Sequence, residues 1–506
     1  MQAYIPQPDT GMQLPQICDD QIEMTTTSLL TLNRPDLLCQ STATPTFPVL
    51  NPADGSLIAS VPNCTAQHAT AAVDAAAAAL PAWRARTAKE RSTLLKAWYA
   101  LVMHHQEDLA KIISLEMGKP LAESRGEIAF GASFLEWFAE EAKRAYGEII
   151  PENARGRKLL ATREPVGVVA AITPWNFPFA MLARKAAPAL AAGCTLVAKP
   201  AEDTPLSALA LAFLAIEAGI PAGVINIVTA SRENTPQVAD AWLADSRVRK
   251  ISFTGSTAVG KHLMRGAADT VKRISLELGG NAPFIVFDDA DLDAAVAGAI
   301  TAKYRNTGQT CICANRIFIQ AGIYDQFAEK FTAAVSKLRV GAAADGIAEQ
   351  GPLINQRALA KVEAQLADAK AKGGRVLIGG NRHALGHTFF QPTVVADATV
   401  DMKFASEETF GPLAPLFKFE TEEQVIAWAN DTPFGLAAYF YSRDIGRVWR
   451  VSAALEAGMI GVNESLISTE VAPFGGIKES GMGREGAREG LNDYMHTKYI
   501  CMGGLS

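Results

Sequence analysis

Residues 166–178 read VGVVAAITPWNFP, an apolar run that ends in a loop broken by Pro174 and Pro178. Such a run predicts a buried β-strand that passes into a rigid turn. Asn176 falls where the strand ends. Because open α/β sheets bind ligands beyond the carboxyl ends of their strands, the Asn176 amide is a candidate hydrogen-bond donor to a developing oxyanion. A turn-forming asparagine is the alternative, and this segment alone favours it.

A second apolar run, residues 194–198, ends at the motif KPAE, residues 199–202. The lysine of this motif can donate to ribose hydroxyls and the glutamate can accept from them. A carboxylate that faces an adenosine 2′-hydroxyl also repels a 2′-phosphate. The alternative is a helix start, with Thr204 as the N-cap and Pro205 at the first helical position.

Residues 249–257 read RKISFTGST, which predicts a strand, a turn and a helix through about residue 268. A helix N-terminus presents unpaired N–H groups, so Ser256 either caps this helix or also helps to hold a pyrophosphate. The dinucleotide fingerprint GxGxxG does not occur here, so this signal is weak by itself.

Two chemically active residues lie beside glycines further along the chain. Glu277 belongs to LELGGN, residues 276–281, and Cys311 belongs to GQTC, residues 308–311. A thiolate is a nucleophile and a carboxylate can accept a proton from thiol or water, so the pair can form and hydrolyse a thioester. A buried cysteine and a turn-flanking glutamate are the alternatives for each residue alone. The glycines weaken those alternatives because they permit close approach of a ligand.

Seven motifs occur in the order found in the aldehyde dehydrogenase superfamily, which the chain resembles from about residue 45 to its C-terminus. They are TPWNFP (173–178), KPAE (199–202), FTGS (253–256), ELGGN (277–281), GQTC (308–311), EETFGP (407–412) and PFGG (473–476). The resemblance implies an α/β fold, with a Rossmann-type cofactor domain, an α/β catalytic domain and a small β oligomerisation element.

The same resemblance predicts how the chain is divided. The expected parts are a partly disordered N-terminal extension (1–44), a cofactor domain (45–145 and 166–276), a catalytic domain (277–485) and an oligomerisation element (146–165 and 486–506). Strands of the oligomerisation element are expected to pair between subunits, which predicts a homodimer or homotetramer.

The resemblance makes Cys311 the nucleophile, Glu277 the general base for thioester hydrolysis, and Asn176 with the Cys311 N–H the oxyanion hole. It implies cofactor contacts at Thr173, Pro174, Trp175, Lys199, Ala201, Glu202, Gly255, Ser256, Leu278, Glu408 and Phe410. Of these, Lys199 and Glu202 serve the adenosine ribose, Gly255 and Ser256 the pyrophosphate, and Glu408 and Phe410 the nicotinamide ribose.

NAD is the expected cofactor and NADP the alternative, because the Glu202 carboxylate repels a 2′-phosphate. One departure from the family pattern bears on this choice. Residues 228–234 read VTASREN, where many relatives carry a glycine after Val-Thr. The adenine-side loop is therefore expected to differ from theirs.

Residues 177–185 and 311–316 resemble succinate-semialdehyde dehydrogenases in particular. Arg184 and Arg316 lie in these stretches, and a guanidinium can bind a remote substrate carboxylate with two parallel bonds. Ser468 is a third substrate contact by resemblance. The predicted reaction is NAD(P)-dependent oxidation of succinic semialdehyde to succinate through a thiohemiacetal and a thioester, with glutarate semialdehyde as the alternative substrate. Structural ion pairs for the arginines and a self-bonded loop serine are the other interpretations.

Cys313 lies two residues after Cys311, so oxidation to a disulfide would mask the nucleophile. The subfamily resemblance supports this redox switch. Bridging requires the two Cα atoms to lie within the usual disulfide range, and a second thiol that only fills space is the alternative.

The composition excludes several other classes. A net charge of −6 without a basic cluster argues against nucleic acid as a partner. Seven scattered cysteines form neither a disulfide framework nor a metal cluster, which predicts no metal and a cytoplasmic location. No apolar stretch reaches the roughly 20 residues of a membrane helix. A cysteine esterase and a non-catalytic binding protein remain the competing functional classes.

Overall fold

The computed structural model of the protein describes residues 45–343 and 346–504, so the predicted extension, residues 1–44, lies outside the described residues. The strands are β1 Thr46–Leu50, β2 Leu57–Pro62, β3 Glu148–Ile150, β4 Lys158–Pro165, β5 Val168–Ile172, β6 Thr195–Lys199, β7 Ile225–Ile227, β8 Val248–Thr254, β9 Arg273–Glu277, β10 Ala282–Val286, β11 Ala314–Gln320, β12 Arg375–Ile378, β13 Thr393–Ala398, β14 Leu413–Phe419, β15 Phe434–Gly435, β16 Ala437–Tyr441, β17 Met459–Val462, β18 Ile477–Lys478, β19 Gly481–Met482 and β20 Met495–Met502.

The α-helices are α1 Ala66–Ala85, α2 Ala88–His104, α3 Gln106–Met117, α4 Leu121–Glu141, α5 Pro178–Ala192, α6 Leu206–Glu217, α7 Thr235–Ala244, α8 Thr257–Ala268, α9 Leu292–Tyr304, α10 Tyr324–Val335, α11 Gln356–Ala371, α12 Lys403–Ser406, α13 Glu422–Asn430, α14 Ile445–Ala454 and α15 Glu489–Asn492. None of these helices, in the part of the chain that the structure describes, is long and apolar enough to cross a membrane.

The apolar run that begins at residue 166 forms β5, an inner strand of a six-stranded sheet of order β19-β9-β8-β5-β6-β7. Val169 and Ala171 pack into one hydrophobic core together with residues of α5. Val168 and Ala170 pack into another core together with residues of α1. A strand that is buried on both faces needs an apolar residue at every position, which is why its sequence is a continuous run.

Strands β5, β6, β8 and β9 run parallel, so their carboxyl ends lie at one edge of this sheet. The register pairs Ile172 with both Lys199 and Phe253, and Thr254 with Glu277. The motifs that follow these four strands therefore share one end of the sheet, where ligands bind in open α/β folds.

A second sheet has the order β12-β13-β14-β11-β10-β16-β17, and Cys311 lies just before its strand β11. The chain passes from β9 in the first sheet to β10 in the second across residues 278–281. A Cβ atom on Gly280 would lie 2.4 Å from the carbonyl oxygen of Cys311. Only glycine allows the two segments to approach so closely.

The third sheet is antiparallel and has the order β20-β4-β3. The segments expected to pair between subunits thus pair with each other inside one chain. Ile149 on β3 and Tyr499 on β20 are 80% and 61% exposed, so this small sheet presents apolar side chains to the outside. Pairing between subunits stays a prediction.

Helix α6 begins at Leu206, so the predicted start with Thr204 as its N-cap is wrong. The N–H groups of Leu206 and Ser207 donate to the carboxylate of Glu116 at 2.7 and 2.9 Å. Glu116 belongs to α3 and is buried, which raises its pKa to about 8 although Ser207 opposes the shift. The N-terminus of α6 is therefore capped by a carboxylate about ninety residues earlier in the chain and not by a neighbouring side chain.

Replacing Glu116 with alanine leaves two buried N–H groups without their acceptor. Each such loss costs about 1–3 kcal/mol, so we expect the free energy of unfolding of Glu116→Ala to fall by about 2–4 kcal/mol. Urea unfolding followed by circular dichroism measures this change. Glu107→Ala is the matched control, since Glu107 is exposed on the same helix, and it should leave the urea midpoint unchanged. Equal midpoints for the two variants would contradict the capping role.

Candidate active site

A cavity of about 480 Å³ lies beyond the carboxyl ends of β5, β8 and β9 and beside the loop before β11. Its size is typical of small-molecule sites. Of the predicted site residues, it is lined by Pro174, Trp175, Asn176, Arg184, Gly255, Ser256, Leu278, Cys311, Glu408, Phe410 and Ser468. The sequence motifs, which are far apart along the chain, thus meet around one space.

The remaining predicted residues lie around this space rather than on its surface. Thr173, Lys199, Ala201, Glu277 and Cys313 are buried. Glu202 borders an adjoining cavity of about 570 Å³ that shares Arg232, Ile354 and Asn355 with the first. The two cavities therefore meet at Arg232.

The loop before Cys311 has a strained backbone. Asn306 and Thr307 have positive φ angles of 52° and 59°, which non-glycine residues rarely adopt. The half-buried carboxylate of Glu123 accepts the Asn306 N–H at 3.0 and 3.1 Å, and the Thr307 hydroxyl donates to the Gly351 carbonyl at 3.1 Å. The surroundings thus hold the loop in a conformation that it would not adopt alone.

Asn176 connects the end of β5 to this loop. Its side-chain Nδ2 donates to the main-chain carbonyl of Gln309 at 3.0 Å. Its main-chain carbonyl accepts from Nζ of Lys119 and from Nδ2 of Asn306, each at 3.0 Å. The amide is therefore fixed beside Cys311 in the cavity wall. A rigid N–H donor next to a nucleophile is the arrangement that stabilises an oxyanion.

Burial raises the pKa of the Cys311 thiol to about 12; Arg184 opposes this rise, and Glu408 and Glu277 add to it. The thiol therefore carries its proton at neutral pH and must lose it to act as a nucleophile. Both carboxylates therefore disfavour the thiolate, and Arg184 favours it.

Glu277 is a carboxylate with a strongly perturbed environment. Burial raises its pKa well above the usual range, and the neighbouring Glu485 raises it further. Its Oε2 has no hydrogen-bond partner among the described residues. A Cβ atom on Gly475 would lie 2.9 Å from its Oε1, so a glycine makes room for it. A carboxylate whose pKa is raised towards neutral is suited to act as a general base.

Arg184 pairs with Glu485, which also pairs with Lys185. Although burial opposes it, these two cations hold the pKa of Glu485 below its usual range. The Arg184 guanidinium also lies 4.2 Å from the centre of the Phe474 ring and lines the cavity. Arg184 thus forms the structural ion pair and also lines the cavity, and the ion pair with Glu485 holds its guanidinium in place.

Arg316 is not part of this cavity, which corrects its assignment as a substrate contact. Each of its three guanidinium nitrogens donates to a backbone carbonyl, Nε to Asn281 at 3.1 Å, Nη1 to Trp428 at 2.8 Å and Nη2 to Ala429 at 2.8 Å. The side chain is buried and ties β11 to the end of α13. Its charge serves packing between these elements.

Arg305 is the arginine that the sequence analysis missed. It follows α9, lines the main cavity, and also lines a smaller cavity of about 280 Å³ together with Ser468. Its guanidinium lies 5.2 Å from the centre of the Phe177 ring. It precedes Cys311 by six residues, and its position just before the GQTC motif was the available signal.

The other end of the cavity fits a dinucleotide. Helix α8 begins there, and the Ser256 hydroxyl accepts the Val259 N–H at 3.5 Å. Thr254 lines the cavity with a buried hydroxyl that has no partner among the described residues. Free donors at a helix N-terminus favour a phosphate group.

Two further groups face this end. Glu408 accepts the Gly280 N–H at 3.1 Å, and burial raises its pKa to about 7. Phe410 has a φ angle of 52°, and its ring packs edge-on against Trp175 with 5.5 Å between centroids. The cavity wall is therefore polar on one side and aromatic on the other, as in sites that bind a nucleoside.

Cys313 faces away from this cavity. Its thiol is buried and donates to the carbonyl of Lys303 at 3.4 Å. Cys311 and Cys313 are both free thiols. The disulfide switch stays a prediction.

Comparison with known proteins gives consistent results. Residues 39–500 match the model of the aldehyde dehydrogenase family. The chain is 59% identical over 455 residues to the NADP(+) succinate-semialdehyde dehydrogenase of Escherichia coli K12, covering 90% of this chain and 94% of that protein. It is 56% identical over 460 residues to a glutarate-semialdehyde dehydrogenase of Pseudomonas aeruginosa, covering 91% and 95% of the two chains. The crystal structure of succinate-semialdehyde dehydrogenase from Burkholderia pseudomallei matches with a TM-score of 0.89 at 57% identity, covering 91% and 95%.

The raised pKa of Cys311 predicts slow, base-dependent alkylation. The thiolate is the reacting form, so its rate with iodoacetamide should rise about tenfold per pH unit between about pH 7 and pH 9. Mass spectrometry of the peptide that contains Cys311 measures the rate, and Cys311→Ser confirms the site. A rate that does not change with pH would reveal a preformed thiolate and contradict the assignment.

Proposed function

The chain belongs to the aldehyde dehydrogenase family, and on that premise we propose that it oxidises succinic semialdehyde to succinate with NAD or NADP. The observation that carries this proposal is that one cavity is lined by a nucleophilic thiol, a fixed amide donor and the arginines Arg184 and Arg305. The relatives named for succinate and glutarate semialdehydes support a substrate with a remote carboxylate. Glutarate semialdehyde, one methylene longer, is the alternative substrate.

The proposed chemistry uses the residues in sequence. Cys311 gives its proton to water and its sulfur adds to the aldehyde carbon, which forms a thiohemiacetal whose oxyanion is stabilised by Asn176 and the Cys311 N–H. The nicotinamide cofactor, when bound, supplies the hydride acceptor that turns this adduct into a thioester. Glu277 then takes a proton from water, the hydroxide adds to the thioester, and the carbon–sulfur bond breaks to release the carboxylate and the thiol.

We assign the cofactor contacts in the order of the cavity. Lys199 and Glu202 would hold the adenosine ribose, Gly255 and Ser256 the pyrophosphate, and Glu408 and Phe410 the nicotinamide ribose. The remaining contacts of the site would come from Thr173, Pro174, Trp175, Ala201 and Leu278. NAD is proposed as the better cofactor, because Glu202 can accept hydrogen bonds from the ribose hydroxyls of NAD, one of which carries a phosphate in NADP.

The substrate carboxylate would be held by Arg184 and Arg305, with Ser468 beside them. Both arginines line the cavity, and Arg305 and Ser468 also border the smaller adjoining cavity. A carboxylate bound at this end leaves the aldehyde directed towards Cys311. Charge-assisted bonds of this kind are about twice as strong as neutral ones, so they discriminate against uncharged aldehydes.

We also propose that the protein forms a homodimer or homotetramer through the sheet β20-β4-β3. Its exposed side chains Ile149, Tyr499 and Ile500 support this, since apolar groups at a sheet edge favour association.

Glu277→Gln should separate the two halves of the reaction. Thioester formation does not need this base, so we expect one equivalent of reduced nicotinamide to form rapidly, followed by turnover slowed about 10²–10⁴-fold. Stopped-flow absorbance at the reduced-nicotinamide band measures both phases. Because the pKa of Glu277 is raised, its basic form grows as pH rises, so wild-type turnover should rise with pH and the variant should lose that dependence. A cysteine esterase would give no reduced nicotinamide at all.

The arginine assignments predict a selective loss. Arg305→Gln and Arg184→Gln each remove a charge-assisted bond of about 1.5–3 kcal/mol, so kcat/KM for succinic semialdehyde should fall about 10–100-fold. Butyraldehyde lacks the carboxylate, so in Arg305→Gln its kcat/KM should change less than about threefold. In Arg184→Gln it should also fall, but less than that for succinic semialdehyde, because Arg184 also lowers the pKa of Cys311. Arg316→Lys is the control, because Arg316 bonds backbone carbonyls outside the cavity, and it should affect the two aldehydes equally. A selective loss for succinic semialdehyde in Arg316→Lys would instead make Arg316 a substrate contact.

A further inference from the structure

Arg232 lies at the adenosine end of the proposed cofactor site. Its Nη2 is 2.8 Å from Oε1 of Glu202, while Oε2 of the same carboxylate is 3.2 Å from Nζ of Lys199. Although burial opposes it, Lys199 and Arg232 hold the pKa of Glu202 below its usual range. The carboxylate expected to repel a 2′-phosphate is therefore paired with two cations.

These pairings change the charge that a nucleotide meets. Glu202 alone is anionic, whereas the three side chains together carry a formal charge of +1, from two cations and one carboxylate. The further charged groups that interact here are Asp203, Glu233 and Arg357. With these three, the formal charges of the six side chains sum to zero. This end of the site is therefore neutral and does not repel a phosphate.

Arg232 is also free to change its contact. Its side chain is 50% exposed, and it borders both the main cavity and the adjoining cavity. It belongs to the stretch VTASREN, residues 228–234, in which this chain departs from the family pattern. A half-exposed arginine in a loop can turn without disturbing the hydrophobic core.

We propose that Arg232 is the residue that admits NADP to this site. It stays on Glu202 when the adenosine ribose carries a 2′-hydroxyl, and it moves its guanidinium to the 2′-phosphate when NADP binds. This exchanges one charge-assisted bond for another, and guanidinium matches phosphate geometry with two parallel bonds. An arginine near the ribose serves the same purpose in other NADP sites. The inference rests on the proposed function, because that function assigns Glu202 to the adenosine ribose.

The test compares two nucleotides that differ only in the 2′-phosphate. Adenosine 2′,5′-bisphosphate and 5′-AMP are titrated into the full-length wild type and into Arg232→Gln by isothermal calorimetry. We expect the wild type to bind the two within about threefold of each other. In Arg232→Gln, the bisphosphate should bind about 10–100-fold more weakly and AMP should change less than about threefold, since the lost bonds reach the 2′-phosphate alone.

Three further variants sharpen the comparison. Arg232→Lys keeps the positive charge but lacks the guanidinium that can donate two parallel bonds, so its affinity for the bisphosphate should lie between those of the wild type and Arg232→Gln. It takes the place of Arg232→Gln if that variant does not fold. Glu202→Gln in the Arg232→Gln background should restore part of the bisphosphate affinity, because it removes the repulsion. Arg382→Gln is the matched control for Arg232→Gln. Arg382 is a half-exposed arginine whose Nε lies 2.7 Å from Oε1 of Glu363, and it lines neither of the two cavities. It should alter neither affinity.

The outcomes are distinct. Equal weakening of both nucleotides in Arg232→Gln, or no weakening of either, would overturn the selecting role of Arg232 while leaving the adenosine site in place. Failure of the wild type to bind either nucleotide would overturn the adenosine site itself, and with it this inference. Oxidation of succinic semialdehyde with NAD then reports separately on the proposed function.

Discussion

The close approach of Gly280 to the carbonyl of Cys311 is the constraint on which the rest of the site depends. The chain crosses there from the first large sheet to the second, so this contact fixes the distance between the base on one sheet and the nucleophile beside the other. A second contact of the same kind lies at Gly308, where a Cβ atom would come within 2.2 Å of the Gly411 carbonyl. Because the backbone is packed against itself on both sides, the nucleophile loop has little freedom to move.

Burying charge next to this loop is costly unless each charge has a partner. Arg184 and Lys185 both pair with the carboxylate of Glu485, and among the described residues Glu277 forms no ion pair of its own. Arg184, Lys185 and Arg484 lower the pKa of Glu277, but burial and the charge of Glu485 raise it further, so the pKa of Glu277 rises while that of Glu485 falls. The same ion cluster thus holds Arg184 in place and leaves beside it a carboxylate suited to accept a proton from water.

The parts of the structure that could be predicted are those written in local patterns. The continuous apolar run before Thr173 predicted a buried strand, and the order of the seven motifs predicted the family and its α/β fold. The missed features depend on contacts that local sequence does not encode. Arg316 was assigned from its place after the nucleophile, and Arg305, which lies before it, was missed, because only the fold shows that Arg316 meets backbone carbonyls while Arg305 lines the cavity. The domain boundaries remain predictions.

The adenosine end shows that the residues of a motif do not by themselves determine the electrostatic potential at a site. KPAE places a lysine and a glutamate near the ribose, and the glutamate alone would be expected to exclude a phosphate. The effect of that carboxylate depends on what faces it, and here a residue thirty positions later faces it at 2.8 Å. Cofactor choice is therefore a property of the pair formed by the motif and the variable loop. Two chains that share KPAE but differ at the position of Arg232 are expected to differ in how strongly they reject the 2′-phosphate, because the same carboxylate is neutralised in one and bare in the other.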